Sequence, residues 1–458
     1  MRNAEAVAEP ASGAPPPADQ PSGSIVALAV LACGGLAVYA VPAALTLSGS
    51  RPQAWWVALL GGAAVLLAGT ALAPRTAGRA LLVVLLAGAA FRAVLVPTEP
   101  ALSDDLYRYL WDGKVQVAGF SSLEHPPADP ALAPLRDEVI WPRINRPNQP
   151  TIYPPLTEAL FAAAWWAGIR SPAAWKALMA AVDAGATVLL AAALSALGRD
   201  PRRVVAYAWN PVAVLFSAQT GHLEPLVVAA LAAAVIAWRR DRPGWLGLAL
   251  GAAAAVKLYP LALVAAFLRG PHDSVRRAAG RAAGVVALAA GVVAAGYVPL
   301  LDLGARALGY LADGYLREES YESGGRFVVL RTLGFDGGSA TIAAAAVLAV
   351  VAVAVLCSTR PAPVRATWLL AALLVLTVPY PWYALPLVAL AVIGGAGWAW
   401  TWFPVALAVA YVDRGALGLS DGLWRPLRLA AALAVVLLVL AAPWSHGARR
   451  AVWDEAAG

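Results

Sequence analysis

The chain has 458 residues and a formal net charge of +7; 60% of its residues are hydrophobic and 13% are charged. Soluble domains are typically about 45–50% apolar and about 25% charged, so this composition argues against a soluble or a disordered protein. The apolar residues form long blocks and do not alternate with polar ones, which argues against a transmembrane β-barrel and predicts an all-α polytopic membrane protein.

The apolar blocks predict the helices in chain order. They lie at 24–47, 54–73, 79–97, 155–169, 173–197, 202–218, 222–238, 244–268, 278–301, 339–357, 364–378, 381–396, 397–412 and 427–443. Because a span needs about 20 apolar residues, these blocks predict a bundle of about 12–14 transmembrane helices within residues 24–443. We predict that residues 1–23 form a disordered cytoplasmic tail and that residues 444–458 form a second cytoplasmic tail.

Two stretches of the chain, 98–153 and 302–338, are long, polar and rich in aromatic residues. Loops of this length are usually functional or disordered, and their apolar content favours function. Arginines crowd the short loops between the other blocks, which predicts that those loops are cytoplasmic and both long loops are extracytoplasmic. The basic charge therefore indicates topology and does not indicate binding to nucleic acid.

The topology around 155–203 stays open at this point. Arg170 and Lys176 compete with the cluster at 199–203 for the cytoplasmic side, although one helix separates the two groups. Either the block at 155–169 is too short to cross the membrane, or one of the clusters lies outside.

A helix break is predicted inside the block at 244–268. The run Lys257-Leu258-Tyr259-Pro260 places a proline in an apolar segment, and proline removes a helix hydrogen bond and disfavours helix at the residue before it. Two half-helices that meet near Lys257 would line a cavity. A lone lysine there is costly, so Lys257 is predicted either to bind a phosphate or to extend to the membrane interface.

An acidic pair opens the first long loop. Asp104 and Asp105 directly follow an apolar block, and a partly desolvated carboxylate is a stronger base that could take a proton from a sugar hydroxyl. The alternative is a solvated helix cap, since Ser103 and the aspartates are good capping residues.

Two further groups could bind substrate. Arg143 and Arg146 precede the Tyr153-Pro154-Pro155 corner, which predicts an anion site or a rigid turn. His222, in the turn before Glu224, could bind a phosphate oxygen or an acceptor hydroxyl, or could serve as a hydrogen-bonded turn.

Arginines close the second long loop and aromatic residues follow it. Arg326 and Arg331 could clamp a phosphate or anchor the loop at the interface. The aromatic run at 380–383 is typical of a membrane-interface belt, with contact to a sugar or a polyprenyl chain as the second interpretation.

No known cofactor motif is present. The chain has no nucleotide-binding loop, dinucleotide fingerprint or protease-type zinc motif, and its two cysteines and four histidines have no metal-ligand spacing. We therefore predict no metal site and no cofactor; a divalent cation is possible but not indicated.

The order of these motifs resembles the GT-C superfamily of membrane glycosyltransferases. Asp104–Gly113, Thr151–Pro155, the Gly221-His222 turn, the Lys257 break and the Pro381-Trp382-Tyr383 run carry the resemblance. It is nearest to bacterial mannosyltransferases that use polyprenyl-phosphate sugars, and it implies a GT-C-like bundle with an inverting reaction. The G-x-N-P-Y run of related sequences is absent at Gly119–Leu123, and Glu224 stands where an aspartate is usual.

The resemblance implies a role for each site residue. Asp105 matches the general base because it opens a D-L-x-x-Y pattern, with Asp104 as the alternative. Lys257, His222, Arg326 and Arg331 are predicted to hold the donor phosphate, and Arg108, Tyr153, Glu224, Arg143 and Arg146 to contact the acceptor or substrate.

The predicted function is transfer of a hexose, most simply mannose, from a polyprenyl-phosphate donor to a lipid or glycan acceptor. The reaction would take place on the outer face of the bacterial cytoplasmic membrane. The alternative is a flippase or transporter of lipid-linked sugars, which should show paired repeats with matched broken helices. If the protein is an enzyme, we expect Asp105, His222 and Lys257 to line one outer cavity instead.

Overall fold

The computed structural model of the protein describes residues 24–47, 54–76, 79–270, 275–377, 380–395, 397 and 399–411. Within these ranges the chain forms helices and turns and no strand, which confirms the predicted all-α fold. The helices are α1 (Ser24–Leu47), α2 (Ala54–Leu72), α3 (Ala80–Ala93), α4 (Asp105–Val117), α5 (Pro155–Trp166), α6 (Pro172–Ala196), α7 (Val205–Ala208), α8 (Pro211–Ala218), α9 (Glu224–Arg239), α10 (Pro243–Val256), α11 (Val264–Phe267), α12 (Val275–Tyr297), α13 (Leu316–Glu318), α14 (Val328–Thr332), α15 (Gly338–Cys357), α16 (Ala362–Thr377), α17 (Leu385–Gly394) and α18 (Ala399–Tyr411).

Five helical segments in the described ranges are long and apolar enough to cross a membrane. They are Ile25–Leu47, Ala54–Arg75, Pro172–Ala196, Ala279–Gly304 and Gly338–Cys357. Shorter apolar helices include α3, α10, α16 and α18. The chain is therefore a polytopic membrane protein. The predicted span at 427–443 and the predicted tails at 1–23 and 444–458 lie outside the described residues.

The predicted break at Lys257 is confirmed. α10 ends at Val256, Lys257 is extended with φ −147° and ψ 141°, and a 3-10 turn begins at Tyr259. The hydroxyl of Thr157 donates to the carbonyl oxygens of Ala255 (2.7 Å) and Val256 (2.9 Å), which would otherwise lack partners at this helix end. A residue of α5 thus stabilises the break in α10.

The block at 202–218 differs from the prediction because it is divided. A 3-10 turn at Pro201–Val204 leads into α7, and α8 begins after Asn210. The Asn210 side chain accepts a hydrogen bond from the backbone N–H of Val212, and Pro211 occupies the first turn of α8. An asparagine cap followed by proline is a helix-start signal, so the two residues explain the division.

The structure resolves the conflict around 155–203. Lys176 is fully buried at the start of α6, and its Nζ donates to the Leu95 carbonyl (2.9 Å), just after α3. At the other end of α6, Arg202 donates to the Thr76 carbonyl, just before α3. α6 therefore runs antiparallel to α3, and Lys176 lies at the end of the bundle where the first long loop begins.

α5 is a short helix that packs against α4 of the first long loop. Its 12 residues span about 18 Å, less than the roughly 30 Å hydrocarbon core. It packs against α4 at Gly113, where an added Cβ would lie 2.4 Å from the Phe161 carbonyl oxygen. Only glycine allows this approach.

The two long loops, 98–153 and 302–338, pack on each other at one end of the bundle. The backbone N–H of Tyr310 donates to the Thr151 carbonyl (3.1 Å), and Arg146 Nε lies 2.6 Å from Glu318 Oε1. Below them, α8, α9 and α17 form the centre of the apolar core; every residue of α17 is buried. The loops thus form a polar cap on an apolar bundle.

Candidate active site

A polar cavity of about 180 Å³, which we name the chamber, lies under the two long loops. Its walls come from the start of α4, the first loop, the break after α10, the second loop and the segment around Trp382. They comprise Ser103, Asp104, Asp105, Arg108, Asn145, Arg146, Pro150, Ile152, Tyr153, Lys257, Tyr315, Glu319, Tyr380, Trp382, Tyr383 and Tyr411. Segments far apart in sequence therefore meet at one site.

The acidic pair lies on the chamber wall at the start of α4. Asp104 occupies the cap position, but its side chain makes no capping hydrogen bond. Instead the Asn145 side-chain amide donates to Asp104 Oδ1 (3.0 Å) and to Asp105 Oδ1 (2.7 Å). The capping alternative therefore does not describe these side chains, and both carboxylates face the chamber.

Asp105 lies outside the apolar spans, and burial raises its carboxyl pKa from 3.8 to about 6. Lys257 and the Asn145 hydrogen bond lower this pKa, whereas the charges of Asp104 and Glu224 raise it. At neutral pH the group is ionised, and it is a stronger base than an ordinary aspartate.

His222 lies directly behind Asp105 and is fully buried. Its Nδ1 is 3.7 Å from Asp105 Oδ2 and 3.4 Å from the Tyr109 hydroxyl, and its ring stacks on Trp382 at 3.9 Å. Gly221, with φ +69°, makes the turn that brings the histidine here. His222 therefore lies next to Asp105 but does not line the chamber, so of the three residues predicted to line one cavity only Asp105 and Lys257 do so.

Lys257 lines the chamber and is paired with Glu224. Its Nζ is 2.5 Å from Glu224 Oε1 and lies 4.3 Å from the centre of the Tyr383 ring. Glu224 is fully buried, and its Oε2 has no hydrogen-bond partner. The carboxylate and the ring fix the ammonium group at the chamber wall, which favours the phosphate-binding interpretation over extension to the interface.

Arg146 and Arg326 converge on one carboxylate, that of Glu319. Arg326 Nη1 lies 2.7 Å from Glu319 Oε2, and Arg146 Nη2 lies 3.1 Å from Oε1. The Tyr380 hydroxyl donates to the same Oε1 at 3.2 Å. Glu319 therefore joins both long loops to the aromatic segment, at the edge of the chamber.

The remaining predicted residues are divided between the chamber and the surface. Arg108 and Tyr153 line the chamber, and Arg108 Nε is held by both oxygens of Asp112 at 2.8 and 3.0 Å. Arg143 is exposed and lies over the Tyr107 ring, and Arg331 lies outside the chamber, 3.5 Å from Asp336. The structure therefore does not bring Arg143 or Arg331 to the site.

An apolar cavity of about 310 Å³, which we name the groove, adjoins the chamber. Its lining includes leucines from the α10 break, the second loop and α16: Leu258, Leu311, Leu316, Leu373 and Leu374. The two cavities share Ile152, Tyr153, Lys257, Tyr315 and Tyr383. The cationic Lys257 thus marks the boundary between an apolar and a polar compartment.

A third cavity, which we name the cleft, adjoins the chamber at Pro150. It measures about 420 Å³ and is lined by Gln149, Pro150, Tyr310, Gly314, Arg317 and Glu318. It shares Pro150 with the chamber and has a mixed polar lining.

Sequence reasoning missed Asn145, Glu319, Tyr315 and Tyr411, all of which line the chamber. Asn145 lies between Arg143 and Arg146, the two arginines that predict an anion site. No sequence spacing identifies a single amide side chain as functional. In the described part of the chain, no three His, Cys, Asp or Glu side chains are grouped to hold a metal ion.

An all-α membrane bundle with a carboxylate in a polar chamber beside an apolar groove has the architecture of a membrane enzyme. The model of glycosyltransferase family 87 matches residues 151–379, half of the chain. The chain belongs to this family and is a membrane glycosyltransferase. The match includes Lys257 and Arg326, whereas Asp104 and Asp105 precede it. No curated protein matches the chain.

Proposed function

We propose that the protein transfers a hexose, with mannose as the first candidate, from a polyprenyl-phosphate donor to a lipid or glycan acceptor on the outer face of a bacterial cytoplasmic membrane. The observation that carries this proposal is the position of Asp105 in a polar chamber that shares Lys257 with an apolar groove. The sugar and the side of the membrane follow from the sequence resemblance and from the arginine distribution.

The two adjoining cavities suit a lipid-linked donor. A polyprenyl chain needs an apolar surface, which the leucines of the groove supply, and its sugar needs polar and aromatic partners, which the chamber supplies. The phosphate would then lie at their boundary, beside Lys257.

Asp105 is the proposed general base. Its Oδ1 accepts from Asn145, its Oδ2 lies 3.7 Å from His222 Nδ1, and the residue lines the chamber. The carboxylate accepts the proton of the acceptor hydroxyl while that oxygen forms a bond to the anomeric carbon. The bond from the anomeric carbon to the phosphate oxygen breaks, and polyprenyl phosphate leaves with the electron pair. Attack opposite the leaving group inverts the anomeric configuration.

Positive charge assists departure of the phosphate, which needs no acid to protonate it. Lys257 is placed at the boundary for this role, and Arg326 lines the groove nearby. His222 is buried behind Asp105, so we assign it a place beside the base and not beside the phosphate. We propose no metal or organic cofactor for the reaction.

The acceptor is proposed to enter from the cleft. The donor would occupy the groove, so the second substrate needs a separate approach to the chamber. The cleft adjoins the chamber at Pro150, and its lining of Gln149, Tyr310 and Glu318 suits sugar hydroxyls. The acceptor would thus present a polar end, whether or not a lipid carries it.

The test is a transfer assay with purified protein in proteoliposomes. Radiolabelled polyprenyl-phosphate mannose, glucose and galactose are offered separately, with a glycolipid and glycan extract of bacterial membranes as the acceptor. We expect label to move to acceptor from the mannose donor and to be lost with Asp105→Asn. Glu138→Gln is the matched control, because Glu138 is an exposed carboxylate of the same loop.

Two outcomes contradict the proposal. One is movement of intact labelled donor across the bilayer without any transfer, which defines a flippase. The other is undiminished transfer by Asp105→Asn; loss of transfer in Asp104→Asn alone would then assign the base to the neighbouring carboxylate.

A further inference from the structure

Asn145 belongs to the first long loop, yet its side chain reaches the acidic pair at the start of α4. Its Nδ2 donates to Asp104 Oδ1 at 3.0 Å and to Asp105 Oδ1 at 2.7 Å. A side-chain amide has two N–H donors, so one nitrogen serves both carboxylates at once. Among the described residues that line the chamber, no other side chain donates to both acids.

The backbone around Asn145 is fixed on both sides. Ile144 is buried in the apolar cluster beneath the loop, and Arg146 adopts a left-handed conformation with φ 47°. The Arg146 carbonyl accepts from the Gln149 N–H at 3.1 Å, and its side chain is held by Glu318 and Glu319. A non-glycine residue in this conformation needs such support. The amide is therefore held rigidly and is not a mobile surface group.

This placement leaves the two oxygens of Asp105 in different surroundings. Oδ1 accepts from Asn145, whereas Oδ2 faces His222 Nδ1 at 3.7 Å, beyond hydrogen-bond distance. Asn145 therefore fixes one oxygen of the carboxylate and with it the orientation of the Asp105 side chain. The amide also donates to both neighbouring carboxylates, which offsets the repulsion between their charges.

We propose that Asn145 is a positioning residue that orients Asp105 and holds it ionised for proton abstraction. The inference rests on the proposed role of Asp105 as the general base. The titratable groups that face Asp105 from the elements around it are Asp104, Lys257, Glu224, His222, Tyr109, Tyr153, Tyr383 and Tyr411. The Asn145 hydrogen bond favours the charged form of Asp105, so its removal should favour the protonated form.

The experiment measures two pH profiles on Asn145→Ala in the full-length protein. The first is the transfer rate with the mannose donor, and the second is carbodiimide labelling of Asp105, read by mass spectrometry of the peptide. We expect both midpoints to move upward together, by about one unit, with a larger upward shift in Asn145→Asp because it adds negative charge. Asn148→Ala is the matched control, an exposed asparagine of the same loop.

An unchanged labelling midpoint in Asn145→Ala, with transfer reduced equally at every pH, would overturn the inference and assign the residue a structural role. The labelling profile needs no activity, so a protein that transfers no sugar would refute the proposed function while the labelling still decides the role of Asn145. Should the alanine variant fail to fold, the nearly isosteric Asn145→Asp supplies the same readout, and no upward shift there also overturns the inference.

Discussion

Two buried ionic clusters of this protein show opposite designs. In the bundle, Arg92 Nε lies 2.7 Å from Asp183 Oδ2, and both side chains are at most 1% exposed. The Tyr207 hydroxyl donates to the same carboxylate at 2.6 Å, and Arg92 also donates to the carbonyls of Gly88 and Ala208. These residues connect α3, α6 and α7. None of the three ionic side chains lines the chamber, the groove or the cleft.

The chamber cluster lines a cavity, whereas the bundle cluster is packed between helices. Asp105 is 22% exposed and has one oxygen without a close partner, and Glu224 Oε2 is also unpartnered. Charged groups inside a membrane protein are usually read as functional. Each cluster contains a buried atom without a hydrogen-bond partner, Arg92 Nη2 in the bundle and Glu224 Oε2 near the chamber. The neighbouring cavity therefore distinguishes the two cases: the Arg92–Asp183 pair is packed between helices, whereas Asp105 and Lys257 line the chamber, where a ligand can reach them.

The strongest test of this contrast is Asp105→Asn. We expect the transfer rate to fall about 10²- to 10⁴-fold, because a general base is lost. The thermal melting temperature should stay the same or rise, since the variant no longer buries a partly desolvated charge. A large fall in melting temperature would mean that Asp105 is structural, like Asp183.

The reverse result is expected for Asp183→Asn. Breaking a buried pair leaves Arg92 uncompensated and should cost about 3–5 kcal/mol of stability. Transfer per folded molecule should be nearly unchanged, as measured after gel filtration of the folded fraction. The double variant Arg92→Met with Asp183→Leu should recover most of the stability. Failure to recover would show that the pair does more than balance two charges.

A smaller effect is expected at the boundary of the chamber and the groove. Lys257→Met should raise the KM for the donor about 10- to 100-fold, the range given by roughly 1.5–3 kcal/mol for a hydrogen bond to a charged group. The variant also leaves Glu224 buried without its partner, so the double variant with Glu224→Gln is the control for folding. If the donor KM is unchanged in a folded variant, Lys257 does not contact the phosphate.

The smallest effect concerns pH. Burial raises the pKa of Asp105 in the folded protein to about 6, above its ordinary value of 3.8, so this group binds more protons between these values in the folded protein than in the unfolded chain. Its contribution to stability therefore falls as pH rises from about 4 to about 6. The melting-temperature difference between wild type and Asp105→Asn should change across this window and stay constant above it. A flat difference throughout would contradict the raised pKa.

The sequence predicts most helices because apolar blocks and prolines act locally. Pro260 marks the break at Lys257, and Pro155 marks the start of α5. The signal at Asn210 and Pro211 is equally local but lies inside an apolar block that suggests one continuous helix.

The site is less predictable because it depends on how two loops fold together. Asp105, His222 and Lys257 stand out as ionisable groups beside apolar blocks, and the structure brings them together. Asn145 contacts Asp105, which is 40 positions away, and Glu319 contacts Arg146, which is 173 positions away in the other loop. Arg331 is only five positions from Arg326, yet Arg326 lines the groove, whereas Arg331 lies in α14 and contacts Asp336.

The most direct test is a cryo-EM structure of Asp105→Asn with polyprenyl-phosphate mannose bound, stabilised by an antibody fragment. The account predicts the lipid chain in the groove, the phosphate beside Lys257 and the sugar in the chamber, with the side chain at position 105 on the face of the anomeric carbon opposite the phosphate. A donor bound away from the groove, or with position 105 on the phosphate side of the sugar, would contradict it.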